Sequence, residues 1–180
     1  MDFTTDRLLL KEVTKKDTEA IFKIQSMPEV DEFNTLGIPE SIKVTKKVVQ
    51  PYLTDQKQKE RRLYYWTIRL KEKDEIIGTC GLSLAAERFR MGEIYYSLIP
   101  SFWGKGLGTE VAQGLVNFGF NYLRLHRIEA GVATKNNRSI KVLEKIGMKR
   151  EGIRRKILPI RGEWIDNYHY AILEEDKRNY

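Results

Sequence analysis

The segment Pro100-Ser-Phe-Trp-Gly-Lys-Gly-Leu-Gly-Thr109 constrains this chain more than any other. It joins an alternating, strand-like stretch, Met91 to Ile99, to the clearest helical pattern present, Gly106 to Leu123, in which Val111, Leu115, Phe118 and Tyr122 share one face. Glycines at such a junction let backbone amides turn inward, where the start of the helix also favours negative charge. The junction therefore reads as an anion cradle, with a plain tight connection as the alternative that the segment alone leaves open. A nucleotide P-loop is excluded because no Gly-Lys-Ser/Thr ending follows, and Gly104-x-Gly106-x-Gly108 lacks Rossmann spacing.

The pattern on either side predicts an α/β chain. A strand at Arg7 to Val13 is followed by a helix at Lys16 to Met27, an irregular run from Pro28 to Pro39, and a second helix reaching Leu53. The polar run Thr54 to Arg62 reads as a loop. Tyr64 to Leu70, Ile76 to Leu84 and Met91 to Ile99 read as an antiparallel meander. Beyond the cradle helix come a strand at Arg127 to Ala133, a helix at Asn137 to Ile146, and strands at Met148 to Lys156 and Trp164 to Leu173. No repeat or linker interrupts the 180 residues, so one domain over the whole chain is expected.

Charge and cysteine usage narrow the partners. The 32 Lys and Arg outnumber the 25 Asp and Glu, and the resulting +7 favours anionic partners without separating nucleic acid from an acidic protein or a phosphorylated cofactor. Cys80 is the only cysteine, which rules out an intrachain disulfide and deprives a structural zinc site of its usual ligands. A reducing cytoplasm fits best. Asp2 and Asp6 interrupt the start, and no window approaches the apolar run of a membrane span, so neither export nor insertion is expected.

Taken with its neighbours, the cradle resembles that of the GNAT superfamily of N-acetyltransferases, whose cofactor motif, Gln/Arg-x-x-Gly-x-Gly/Ala, maps onto Trp103 to Gly108. Trp103 departs from that pattern, yet Trp-Gly-Lys-Gly is the form taken in the branch of the ribosomal-protein N-terminal acetyltransferases. Glu93-Ile-Tyr-Tyr-Ser-Leu before the cradle, and Asn136-x-x-Ser139, Lys145-Ile-Gly-Met and Gly162-Glu-Trp-Ile-Asp-Asn-Tyr-His-Tyr-Ala after it, match in the family's order. Together they span nearly the whole chain. The resemblance implies a mixed, largely antiparallel sheet of six or seven strands flanked by helices, with two central strands splayed apart. It also implies acetyl-CoA as co-substrate, no metal, and direct transfer of acetyl to a primary amine. The acceptor implied first is a protein N-terminal α-amine of ribosomal-protein type, and a polyamine, amino acid or antibiotic is the alternative. Nucleic acid would enter only through ribosome association, and a homodimer is an option that relatives often take.

Acyl transfer needs an uncharged amine, a polarised carbonyl and a proton for the departing thiolate. By resemblance, cofactor contacts fall on Trp103, Gly104, Lys105, Gly106, Leu107, Gly108, Thr109 and Asn136, and on the backbone of Leu98 and Ile99, against which a pantetheine arm would lie as an added strand. Glu93 is the candidate base, with Glu87 or a water as competitors and a solvated or salt-bridged glutamate as the ordinary reading. Asn136 and Ser139 have an ordinary role as helix caps. The resemblance adds cofactor contact for Asn136 and protonation of the leaving sulfur for Ser139. Many members place a tyrosine for that step one turn on, where Leu143 stands.

The acceptor pocket is expected along Val30 to Pro39. His126 and His169 read as structural or surface residues, Cys80 as packing, and Trp66, Trp103 and Trp164 mainly as core, although Trp103 could flank the cofactor. Lys59 to Arg62 and Lys149 to Lys156 read as solvated basic faces that could also attract phosphate or RNA. The rival from another class is a noncatalytic cofactor-binding sensor or RNA-associated module, against which the presence of both Glu93 and Ser139 weighs.

Overall fold

The computed structural model describes residues 1–178 and 180. Eight strands form one sheet: β1 (Phe3–Thr4), β2 (Leu8–Glu12), β3 (Leu63–Leu70), β4 (Glu75–Leu84), β5 (Met91–Leu98), β6 (Arg127–Ala133), β7 (Lys149–Ile160) and β8 (Glu163–Leu173), in the order β1-β2-β3-β4-β5-β6-β8-β7. All neighbours are antiparallel except β5 and β6. The helices are α1 (Thr18–Gln25), the single turn α2 (Pro28–Asp31), α3 (Ile42–Asp55), α4 (Leu107–Asn117) and α5 (Asn137–Lys145).

The expected mixed, largely antiparallel sheet is present, with one strand more than the six or seven expected. The extra strand, β1, has only two residues and too little pattern to announce itself. Tertiary contacts hold it. Phe3 packs edge-on to Trp66 at 5.3 Å and stacks on Phe118 at 5.0 Å, while the Trp66 indole N–H donates to the Met1 carbonyl at 2.8 Å. Burying an aromatic of this size is worth roughly 2–3 kcal/mol, with aromatic pairing adding about 1 more, enough to order so short a strand.

The large core lies on one face of the sheet, beneath α4 and α5, and joins Trp66, Ile68 and Leu82 to Val111, Leu115 and Leu143. A smaller cluster on the opposite face gathers Val13, Ile21, Val49 and Tyr65 under α1 and α3. Helix α4 ends six residues earlier than the periodicity from Gly106 to Leu123 suggests, because Phe118–Tyr122 widens into a π-helical turn. That turn seats Phe118 against Phe3, Tyr64 and Trp66.

Strand β7 runs four residues past the expected Lys156, through a bulge between Arg154 and Leu158. Pro159 is tolerated there because β7 is an edge strand, which can do without one N–H. Trp164, expected in the core, is 59% exposed near the hairpin tip. Its place on the outermost pair of strands leaves nothing to cover it. Beside it Arg161 donates to the Pro28 carbonyl at 2.8 Å and lies 3.4 Å from Asp31, pinning the hairpin to α2. Among the described residues no helix is long and apolar enough to cross a membrane.

Candidate active site

The functional geometry starts where β5 and β6 part. They pair only through Met91–Arg127, Gly92–Ile128 and Glu93–Glu129, whereas β4 stays paired with β5 to Leu98 and β8 stays paired with β6 to Ala133. Past the third pair each strand has a partner on one side and a gap on the other. Backbone polar groups facing that gap need water or an added strand. The splay expected for the central strands is therefore present, with Glu93 and Glu129 at its vertex. A cleft of about 690 Å³ runs through it, lined by Tyr96, Ser97 and Leu98 of β5 and by Ala130 to Ala133 of β6.

The glycine-rich segment closes one end of this cleft. Gly104 and Gly106 hold φ of +74° and +77°, a region L side chains rarely enter. A Cβ built on Gly104 meets nothing within 4 Å, and one on Gly106 meets only Arg7 Nη2 at 3.5 Å. The two glycines thus set a left-handed backbone and leave open space over the amides. Gly106 is the N-cap of α4 and no side chain caps that end, so its first N–H groups are left for a ligand.

Leu107 and Thr109 are buried and anchor the segment, and Gly108 lines the cleft within the first turn. Lys105 is exposed, with its ammonium 5.1 Å from the Phe102 ring centre and its carbonyl accepting from Arg7 Nη1 at 3.1 Å. Arg7 also donates from its main chain and Nε to Glu110, both at 2.7 Å, and Thr5 adds a third bond. Burial pushes the Glu110 carboxyl up, but these bonds outweigh it and hold the group below its ordinary range. The cradle is thereby tied to the β1–β2 turn.

Trp103 packs against the core and also lines the cleft. Its indole N–H donates to the Leu98 carbonyl at 2.7 Å, and the Arg138 guanidinium stacks on the ring at 4.1 Å. Of the backbone groups expected to face a pantetheine arm, the Leu98 carbonyl is thus already accepting from Trp103. The Ile99 N–H is engaged as well, donating to Ile77 at 2.9 Å. Leu98 lines the cleft and Ile99 does not. Arg138 reaches further, to Glu32 at 2.9 Å, joining the cradle side to the segment after α2.

Asn136 and Ser139 sit at the start of α5. The Asn136 side chain accepts from the Ser139 N–H at 3.1 Å, so the capping role is real, and both residues also line the cleft. Across the gap from β5, the Tyr96 hydroxyl lies 2.9 Å from Ser139 Oγ. Burial pushes the Tyr96 phenol up to about 12, against an opposing hydrogen bond with Ser139. Leu143, where a tyrosine would stand in many relatives, is 1% exposed and part of the core.

The opposite wall is built by the segment expected to receive an acceptor. Val30, Phe33, Asn34, Thr35 and Leu36 line it, with Glu29 before them. Facing them are three tyrosines: the Tyr95 and Tyr52 hydroxyls are 3.0 Å apart, and the Tyr65 ring lies 4.8 Å from Tyr52 and 6.1 Å from Tyr95. Burial pushes the Tyr65 phenol up to about 12, with a Thr79 hydrogen bond opposing, so that hydroxyl keeps its proton at physiological pH. Glu29 is the one carboxylate lining the cleft among the described residues, and Arg138 and Lys141 of α5 line it as well.

Glu93 is exposed on the same face of β5 as Tyr95, and it falls outside the cleft lining. Its register partner Glu129 is engaged, accepting from Arg127 at 2.7 Å and lying 3.2 Å from His169 Nε2. Glu87 is exposed in a 3-10 turn and also outside the cleft. No group of three or more metal-ligating side chains occurs among the described residues. The tyrosines and Arg138 escaped the sequence reading. Their only signal was Tyr95-Tyr96 itself, since adjacent residues on a strand face opposite walls.

Residues 7–149 match the family model described as an acetyltransferase (GNAT) domain. An uncharacterized N-acetyltransferase, YoaA of Bacillus subtilis, is 36% identical over 170 residues, 94% of this chain and 95% of that protein. The [ribosomal protein uS5]-alanine N-acetyltransferase of Escherichia coli is 28% identical over 66% of this chain and 61% of its own. Among solved structures, a GNAT-family acetyltransferase from Bacillus anthracis superposes with a TM-score of 0.82 at 31% identity, covering 98% of this chain and 100% of the other. The spermidine N-acetyltransferase of Vibrio cholerae, solved with CoA and spermine, shares the fold with a TM-score of 0.82 at 20% identity over 93% and 96% of the two chains. A parted β5–β6 pair, an uncapped glycine-rich helix start at its mouth and a family match across most of the length lead to one conclusion: this chain belongs to the GNAT family of N-acetyltransferases.

Proposed function

We propose that the protein transfers acetyl from acetyl-CoA to the N-terminal α-amine of a protein or peptide. The observation that carries this reading is the acceptor wall. Three clustered tyrosines and several aliphatic side chains, with Glu29 as the lone carboxylate of the cleft lining among the described residues, suit an acceptor with one amine beside an apolar group. A polyamine carries several positive charges and would want several carboxylates.

The cradle fits the cofactor it would hold. Amides of Gly104 to Gly108 and the uncapped start of α4 suit a pyrophosphate, and the gap beside β5 suits an extended, amide-bearing arm. The cofactor supplies an activated acyl group. Glu93, at the vertex of the splay, is proposed to take the proton from the incoming ammonium through water, since it stands just outside the cleft. Ser139 is proposed to serve the departing sulfur and Asn136 to position the cofactor arm.

The test is thiol release from acetyl-CoA across peptides beginning with Ala or Ser, spermidine, free amino acids and aminoglycosides, with CoA binding measured alongside. Peptide-dependent release is the expected result. Release only with spermidine or another small amine would overturn the acceptor assignment, and tight CoA binding without release on any amine would favour a sensor.

A further inference from the structure

We propose that Tyr96 is a positioning residue for Ser139, donating its hydroxyl proton to Ser139 Oγ so that the serine's own proton is directed at the departing sulfur. This rests on the acyl-transfer reading above.

The two hydroxyls come from different elements, β5 and α5, and meet at 2.9 Å across the gap between the splayed strands. Both residues line the cleft. A serine hydroxyl has one proton and a freely turning O–H bond. Left alone it could point at any nearby acceptor, including the α5 cap. When Tyr96 donates to Ser139 Oγ, one lone pair of that oxygen is used and its O–H is turned outward into the cleft. Each bond in such a chain polarises the next, so the serine also becomes a stronger donor.

The Ser139 backbone is fixed independently. Asn136 accepts its N–H at 3.1 Å, which sets the first turn of α5 without using the side chain. At the position one turn on, Leu143 offers hydrocarbon only. The cleft therefore has a two-residue hydroxyl chain where that position cannot provide a donor.

The chemistry balances without a charged intermediate on the tyrosine. The amine nitrogen bonds to the thioester carbonyl carbon, the carbon–sulfur bond breaks, and its electron pair stays on sulfur. Charge growing there is met by the Ser139 O–H. A phenol held near 12 does not surrender its proton to a thiolate whose ordinary value is about 8.5, a transfer unfavourable by more than a thousandfold. Tyr96 thus gives a hydrogen bond and keeps its proton. The proton that finally neutralises the thiolate comes from solvent, which also receives the one lost by the amine.

The experiment compares Tyr96→Phe, Ser139→Ala and the double variant, with thiol release followed both with amine and in its absence. Slow release to water breaks the same carbon–sulfur bond, so failure to find the right amine leaves the test intact. Expected are a fall in kcat of about 5- to 20-fold for Tyr96→Phe with KM for acetyl-CoA within about twofold, and a double variant no slower than Ser139→Ala alone. An unchanged kcat in Tyr96→Phe would overturn the proposal. So would the same fold-loss persisting on the Ser139→Ala background, which is what a packing role for the ring would give. Absence of any thiol release from the unmodified chain would overturn this proposal together with the function it rests on.

Discussion

Replacing Gly106 separates what the backbone needs from what the ligand needs. Its φ of +77° places any other residue in the left-handed region at a cost of about 1–2 kcal/mol, more for a β-branched one. A Cβ there meets no atom closer than Arg7 Nη2 at 3.5 Å, so no steric clash adds to that figure. In a chain of 180 residues the melting temperature should fall by only about 2–8 °C for Gly106→Ala. Cofactor binding should suffer far more, because the new atoms fill the space over the α4 amides. Losing even one hydrogen bond to a charged phosphate costs about 1.5–3 kcal/mol, roughly 10- to 150-fold in Kd. Gly106→Val should approach complete loss. Gly162 supplies the control, since it holds φ of +80° with nothing within 4 Å of its Cβ, lies in the β7–β8 turn and is no part of the cleft lining. Gly162→Ala should show the same thermal penalty with CoA affinity unchanged. Calorimetry with CoA and thermal melts on the three variants decide the matter, and normal CoA affinity in Gly106→Val would refute the cradle.

Glu93→Gln should lower turnover at neutral pH while leaving CoA affinity nearly unaltered, and a pH–rate profile identical to that of the unmodified protein would remove Glu93 from the base role. Glu110→Gln should destabilise the fold near pH 7. Because the folded-state value of Glu110 lies below its ordinary value of about 4.3, its contribution is present above that pH and fades as pH falls through the folded value. The gap between the two melting temperatures should therefore narrow as the pH falls below that value, and a gap independent of pH would contradict the hydrogen-bonded carboxylate. Cys80 is fully buried in β4 and burial pushes its thiol well up, so iodoacetamide should label it only after denaturation. Labelling of the folded chain on a minutes timescale would show that β4 opens.

Strong local pattern made much of the architecture legible. Strands such as Met91–Leu98 and Arg127–Ala133 carry a local alternation, the β-rich runs Leu63–Leu70 and Glu75–Leu84 are bounded by charged turns, and Gly106 with Asn136 marked two helix starts because the chemistry of a helix start is local. Length misled where tertiary packing took over. β1 exists because Phe3 finds Trp66 and Phe118, and α4 yields to a π-turn because Phe118 must reach the same cluster. Trp164 looks like core by residue type, yet it sits on the outer hairpin with nothing above it.

The family, the glycine-rich turn into α4 and the cap at Asn136 were legible along the chain, since each depends on a few residues at short, fixed spacing. What surrounds them came from packing. It brought Tyr96 to Ser139 and Tyr52 to Tyr65 and Tyr95, and it set Arg138 between Trp103 and Glu32. Those contacts join residues from 13 to 106 positions apart, on elements brought together by the packing of helices on the sheet and by the parting of β5 from β6. Spacing along the chain holds no record of a distance that arises when strands diverge.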